Sequence, residues 1–440
     1  MSISQNFPNT RPSLNLNFAR SKTLDPRITF SRTSTGTYVD ESGFIRDAVA
    51  DEPRFDHDPV TGECLGLLIE ESRVNNYHVW NSTTDTATNL SSAYIDTQTV
   101  SSVLTPRGVT ATAYTATKTG NSSQYHGLNG GANTFSISAN TSVSASAYIK
   151  EFNSSDYRLY FVIAAYNAST DNRRYILYRA RPSTGEWIYS TVHSNWSTPV
   201  INVKDVGNGW YRFEISSTNT YEAGWNVIEF SFQLLNENNA QFYDPPTANT
   251  HGLYLSSPQF ELGNFSTSYM PTNNDSNGSR TPDNVSMTGD NFSDWYNQTE
   301  GTLFTRYKTI GDKSNQMVAQ IRSTDGNNRV EIRAQGSSSS QFRVEVIDEG
   351  ATQQQEFTII PSGYTINNYH KITLGYKEND FASTINGTLY TDDSGTVGSC
   401  DYMTIGAANY GLFGDLNGYI SQLTYYPTRL TNAQLQTLTK

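Results

Sequence analysis

The sequence predicts an all-β protein: two β-sandwich (jelly-roll) domains, preceded by a small irregular β block and closed by one short helix. Three observations predict it. The 440 residues include 28 Tyr, 20 Phe and 6 Trp, side chains that suit a pleated, half-buried surface. Charged residues make up only 16% of the chain, against roughly 25% in an ordinary soluble domain, and Ser, Thr, Asn, Gln and Gly take their place, as turns require. Short apolar runs with polar turns between them continue almost to the end, where a single helical pattern appears.

Residues 1–85 stand apart. Charges concentrate between Asp25 and Arg73, and Pro and Gly recur every few positions. Thr37-Tyr38-Val39 and Phe44-Ile45 flank Asp40-Glu41-Ser42-Gly43 as two short strands flank a turn. Leu65 to Ile69 reads as one apolar strand. Asp56-His57-Asp58 carries metal-ligating side chains, but three adjacent residues rarely converge on one ion, so the run reads rather as a Pro-bounded turn hydrogen-bonded to Arg54. So short and broken a segment buries little alone, so it is expected to pack on a neighbour or another subunit.

Residues 86–272 form the first expected sandwich. Its strands are placed at Ser142 to Lys150, Tyr157 to Ala165, Arg174 to Arg181, Gly209 to Ser216, Ala223 to Leu234 and Gly252 to Glu261. Residues 273–283 (NNDSNGSRTPD) read as a linker, and 284–440 as the second sandwich. There, Asn386-Gly387 between Ala382–Ile385 and Thr388–Tyr390 is the hairpin signal of a type I′ turn. Thr431 and Gln434 form a capping box ahead of Leu435 and Leu438.

Composition excludes several functions. Thirty Lys and Arg against 42 Asp and Glu leave a net charge of −12, which repels nucleic acid and anionic membranes. Cys64 and Cys400 fit neither a disulfide framework nor a zinc spacing. No basic segment precedes an apolar run near the start, and no stretch approaches the length of a membrane span, so neither a signal peptide nor membrane insertion is expected.

The run ITFSRTSTGTYVD followed by PRFDHDPVTGECLGLLIEESR resembles a block found in virion proteins of tailed bacteriophages. GNGWYRFEIS and LYLSSPQFELGNFSTSYMPT resemble carbohydrate-binding jelly-roll modules, and INGTLY with GYISQLTYYPTRLTNAQLQTL resembles concanavalin A-like and laminin-G-like domains. The resemblance implies a non-enzymatic virion protein, synthesised in the host cytoplasm and exposed on tail or head. Its partners would be other virion proteins, further copies of itself (a trimer in a fibre) and a host-surface polysaccharide. A capsid head-decoration protein that clamps shell subunits and a glycan-processing enzyme are the alternatives. The enzyme is disfavoured because the Glu-x-Asp-x-x-Glu run of concanavalin A-like glucanases is absent; Glu345, Asp348 and Glu349 have the wrong spacing for one strand face.

Sugar recognition needs flat apolar faces beside amides. Trp187, Asn195, Trp196, Trp225 and Asn226 are the glycan-binding candidates, set against the reading that sandwich tryptophans fill cores, as expected for Trp210. No cofactor is expected beyond structural calcium, for which Asp325 and the pair Asp392 and Asp393 have suitable side chains in what also read as plain turns. Glu70, Glu71 and Arg73 read as a local ion-pair cluster, since adjacent strand residues face opposite ways.

Overall fold

A computed structural model describes residues 7–440 except 88–90, 130–134, 139, 153–157, 168–171, 182–183, 221–226, 237, 248–250, 274–275, 314, 335–341, 360–366 and 408–413. Among these residues, four large antiparallel sheets stack in pairs as two sandwiches. Among the described residues, two single-turn helices occur beside the closing helix Asn432–Thr439, at Phe18–Ser21 and Asp290–Ser293.

The middle sandwich pairs a seven-stranded with a six-stranded sheet. Alternation sets the faces: in the strand Thr141–Phe152, Val143, Ala145, Ala147 and Ile149 enter the core, where they meet Phe161, Ile163 and Ala165 of Arg158–Asn167 from the opposite sheet. Phe161 and Phe213 stack across the layers with ring centroids 3.8 Å apart. Two strands of this sandwich, Ile95–Leu104 and Thr110–Ala116, have no counterpart in the sequence reading. They are built mostly from Thr, Ser and Ala, which carry little apolar contrast.

The second sandwich is not made from the C-terminal residues alone. In its eight-stranded sheet, Gly418–Tyr426 lies between Glu300–Thr309 and Cys64–Ile69, Arg54–His57 forms an edge, and Leu14–Leu16 pairs with the far end of Gly418–Tyr426. Its partner sheet begins with Thr29–Ser31 against Asn284–Thr288. Leu14, Leu16, Phe18, Leu67 and Ile69 therefore share one core with Ile372, Leu423 and Tyr425, each large apolar side chain contributing about 1.5–3 kcal/mol by burial. Gly66 makes this pairing feasible: its φ is +119° and a Cβ there would run into the Ile420 carbonyl. The expected turn at Asp56-His57 is corrected to strand; Asp56 lies opposite Gly66.

Within 273–283, Gly278–Arg280 pairs with Arg73–Asn75, so this stretch is hydrogen-bonded back onto the N-terminal block. The Asn386-Gly387 turn takes positive φ at both residues, 45° and 87°, and Thr431 and Gln434 close the capping box as the sequence predicts.

Candidate functional site

The N-terminal block, the end of the middle sandwich and residues 280–283 converge on a buried ionic cluster. Arg54 reaches Glu70 at 2.6 Å and Asp283 at 2.5 Å; Arg32 reaches Asp283 at 3.0 Å and Arg280 reaches Glu70 at 3.2 Å. All five side chains are fully inaccessible. Ser268 completes the cluster: its backbone N–H and hydroxyl donate to Glu70 at 2.7 and 2.6 Å, while its oxygen accepts from Arg54 and Arg280. Burial opposes the charge on Glu70, but Arg280, Arg54 and Ser268 outweigh it and hold the carboxyl down at about 2. Burial likewise opposes the charge on Arg54, and the two carboxylates it touches more than compensate; Arg32 and Arg280 are lowered by burial.

Glu70 and Glu71 do point apart. Glu71 pairs with Arg73 at 2.7 Å and with Lys313, the local cluster expected, whereas Glu70 joins the long-range one. The Asp56-His57-Asp58 run also diverges, and none of the three bonds to Arg54 as expected. Asp56 accepts from Val39 N–H at 2.5 Å and Tyr419 hydroxyl at 2.8 Å, His57 Nδ1 lies 2.9 Å from the Val39 carbonyl, and Asp58 caps its own turn at Val60 and Thr61. Desolvation raises the Asp56 carboxyl above its ordinary range.

The five glycan-binding candidates do not form one exposed surface among the described residues. Trp187 is half-buried, stacked 6.3 Å from Phe213 on the core side of its sheet. Trp196 is only 5% exposed and its indole N–H donates to the Arg174 carbonyl at 3.0 Å; Asn195 beside it is 4% exposed. Trp225 and Asn226 lie outside the described residues. Trp210 is buried as expected, donating to the Leu104 carbonyl.

The calcium candidates use their carboxylates locally. Asp325 accepts from the Ser323 hydroxyl and both nitrogens of Asn327, and Asp392 from the backbone and hydroxyl of Ser394; Asp393 is exposed. Among the described residues, no three His, Cys, Asp or Glu side chains are grouped to hold a metal ion.

One carboxylate pair escaped the sequence reading because it joins different strands. Glu331 and Glu345 are cross-strand partners; burial and the neighbouring Glu331 raise the Glu345 carboxyl. Arg333 bridges the two, Gln320 donates to Glu331 at 2.6 Å, and both carboxylates are buried. Arg329 lies 3.7 Å from Glu331 and Arg343 3.4 Å from Glu345, so three guanidinium groups face two carboxylates, an arrangement that suits cohesion of the sheet rather than proton transfer to a substrate. Where the block's hairpin meets the middle sandwich, Phe44, Pro59, Lys150 and Asn208 line an open cleft of about 350 Å³, at the small end for ligand sites.

The sequence matches no protein-family model and no curated protein. Solved structures overlap it in part. The CBM40 module of Ruminococcus gnavus IT-sialidase is 16% identical over 33% of this chain and 84% of the module, with a TM-score of 0.28. The LG4-5 domains of the mouse laminin alpha1 chain are 9% identical over 66% of this chain and 86% of theirs, with a TM-score of 0.25. NanB sialidase from Streptococcus pneumoniae is 16% identical over 35% of this chain and 26% of its own, with a TM-score of 0.30. Overlaps this slight carry no weight on ligand or activity; the all-β sandwich architecture rests on the strand pairing itself.

Proposed function

We propose that the chain is a non-enzymatic structural protein of a tailed-phage particle, exposed on the virion, where it holds host-surface glycans. The buried cluster of Arg32, Arg54, Glu70, Arg280 and Asp283 carries this reading. It turns the block that resembles phage virion proteins from a loose appendage into the shared piece of both sandwiches, so the subunit presents two large β faces as one body. The acidic groups most suggestive of chemistry, Glu70 with Asp283 and Glu331 with Glu345, are each neutralised by arginine inside the fold. The outside is left rich in hydroxyls and amides, and such a surface makes shallow contacts that gain strength from repetition on a particle.

Gold-labelled antibody against the recombinant chain, applied to tailed-phage particles that carry its coding sequence, tests the location. Label on tail or head surface is expected, and particles without label overturn the virion assignment. Purified protein that shortens a polysaccharide would overturn the non-enzymatic one.

A further inference from the structure

We infer that the outward face of the seven-stranded sheet of the middle sandwich, at Tyr125 and Phe242, is a platform for an uncharged saccharide chain. This rests on the glycan-binding reading above and names its site, which differs from the tryptophans that the sequence suggests.

The strand His126–Asn129 sets the geometry. Leu128 enters the core and His126 is fully buried, so Tyr125 and Gly127 face outward. A Cβ on Gly127 would come within 2.6 Å of two ring atoms and the hydroxyl of Tyr125. The Tyr125 ring therefore lies flat on bare backbone, a position only glycine leaves open. Phe242 bridges Tyr125 in antiparallel register, its ring centroid 6.3 Å away at 48°, and is 58% exposed.

The loops bearing these rings are fixed from behind. His126 Nδ1 lies 2.8 Å from the Tyr94 carbonyl and Nε2 lies 3.0 Å from that of Tyr243, the residue next to Phe242. Tyr243 N–H donates to the Gln124 carbonyl at 3.0 Å, and the Asp244 carboxylate accepts the backbone N–H of Thr119 and Gly120 at 2.7 and 3.0 Å. Two aromatic faces are thus held in place before any ligand arrives, which lowers the ordering cost of binding.

The surroundings identify the ligand class. Gly127 sits opposite Gln233, whose amide oxygen accepts from Gln241 at 3.1 Å, so amides begin one position from the rings; Asn121 and Ser122 are exposed on the adjoining loop. Pyranose rings present a C–H face for aromatic contact and hydroxyls for amides. A stable protein partner needs about 800 Å² per side around an apolar core, which two rings do not supply, since the other apolar side chains of this face, Tyr160, Val162 and Leu235 among them, are buried. Among the described residues, the nearby charges Asp244 and Lys118 are engaged with backbone groups, and a chain of net charge −12 favours an uncharged sugar over an acidic one.

The test applies wild type, Phe242→Ala, Gly127→Ala and Trp187→Ala to a printed array of bacterial-surface oligosaccharides, with unfolding midpoints measured alongside. Wild type is expected to bind neutral members, and F242A to lose about tenfold in apparent affinity, the scale of one aromatic contact. G127A keeps both rings but lifts Tyr125, and is expected to weaken binding similarly, whereas W187A binds as wild type. F242A and G127A binding like wild type would overturn the platform and leave the glycan reading standing. A wild type that binds no saccharide would overturn both.

Discussion

Replacing Glu70 by Gln keeps the shape of the side chain and removes one of two carboxylates facing three guanidinium groups in a space without solvent. Two estimates of the cost agree. Removing one partner of a buried ion pair costs about 3–5 kcal/mol. The Glu70 carboxyl sits at about 2 rather than 4.5, and a difference of roughly 2.5 units at 1.36 kcal/mol each is about 3 kcal/mol. Because the folded state depresses this pKa, the contribution is complete above the ordinary value of 4.5 and disappears as the pH falls toward 2. Guanidinium chloride unfolding at pH 7 should therefore place E70Q about 3 kcal/mol below wild type, and the gap should narrow steadily on acidification below pH 4.5. Stabilities within about 0.5 kcal/mol of each other at pH 7, or a gap that ignores pH, would refute the argument.

Other perturbations probe separate parts. Tyr419→Phe removes the hydroxyl that donates to the buried Asp56 carboxyl at 2.8 Å, and should cost about 1–3 kcal/mol in the same unfolding assay. Thr431→Ala opens the capping box of the closing helix and should cost about 1 kcal/mol, visible as faster amide exchange over Asn432–Thr439. Burial pushes the Cys400 thiol up to about 12, so a thiol reagent at pH 8 should leave Cys400 unmodified in the native protein and label it after denaturation.

Much of the fold was legible because strands with strong alternation declare themselves. Thr141–Phe152 and Asn172–Arg181 lie where the apolar rhythm puts them, and the Asn386-Gly387 turn and the Thr431 cap need only local chemistry. Ile95–Leu104 was invisible because Thr, Gln and Ser occupy both faces of an edge strand. The joining of the block to the C-terminal strands was hidden for another reason: Arg32 and Asp283 are 251 positions apart, and composition does not reveal which distant charges meet. Site residues fared worst. The turn residues beside Trp196 predict a face open to solvent, but its indole turns inward to Arg174. Tyr125 and Phe242, each next to a buried aromatic or imidazole ring, gave only the weak signal of paired rings beside turns, and Gly127 gains meaning once the ring above it is seen.

Hydrogen exchange on the intact chain tests most directly whether the N-terminal block is part of the second sandwich. Peptides covering Cys64–Ile69 should exchange as slowly as those covering Gly418–Tyr426, since the two strands share a ladder and a core. Rapid exchange of Cys64–Ile69 beside a protected Gly418–Tyr426 would show an arm merely resting on a finished domain, and would contradict the account.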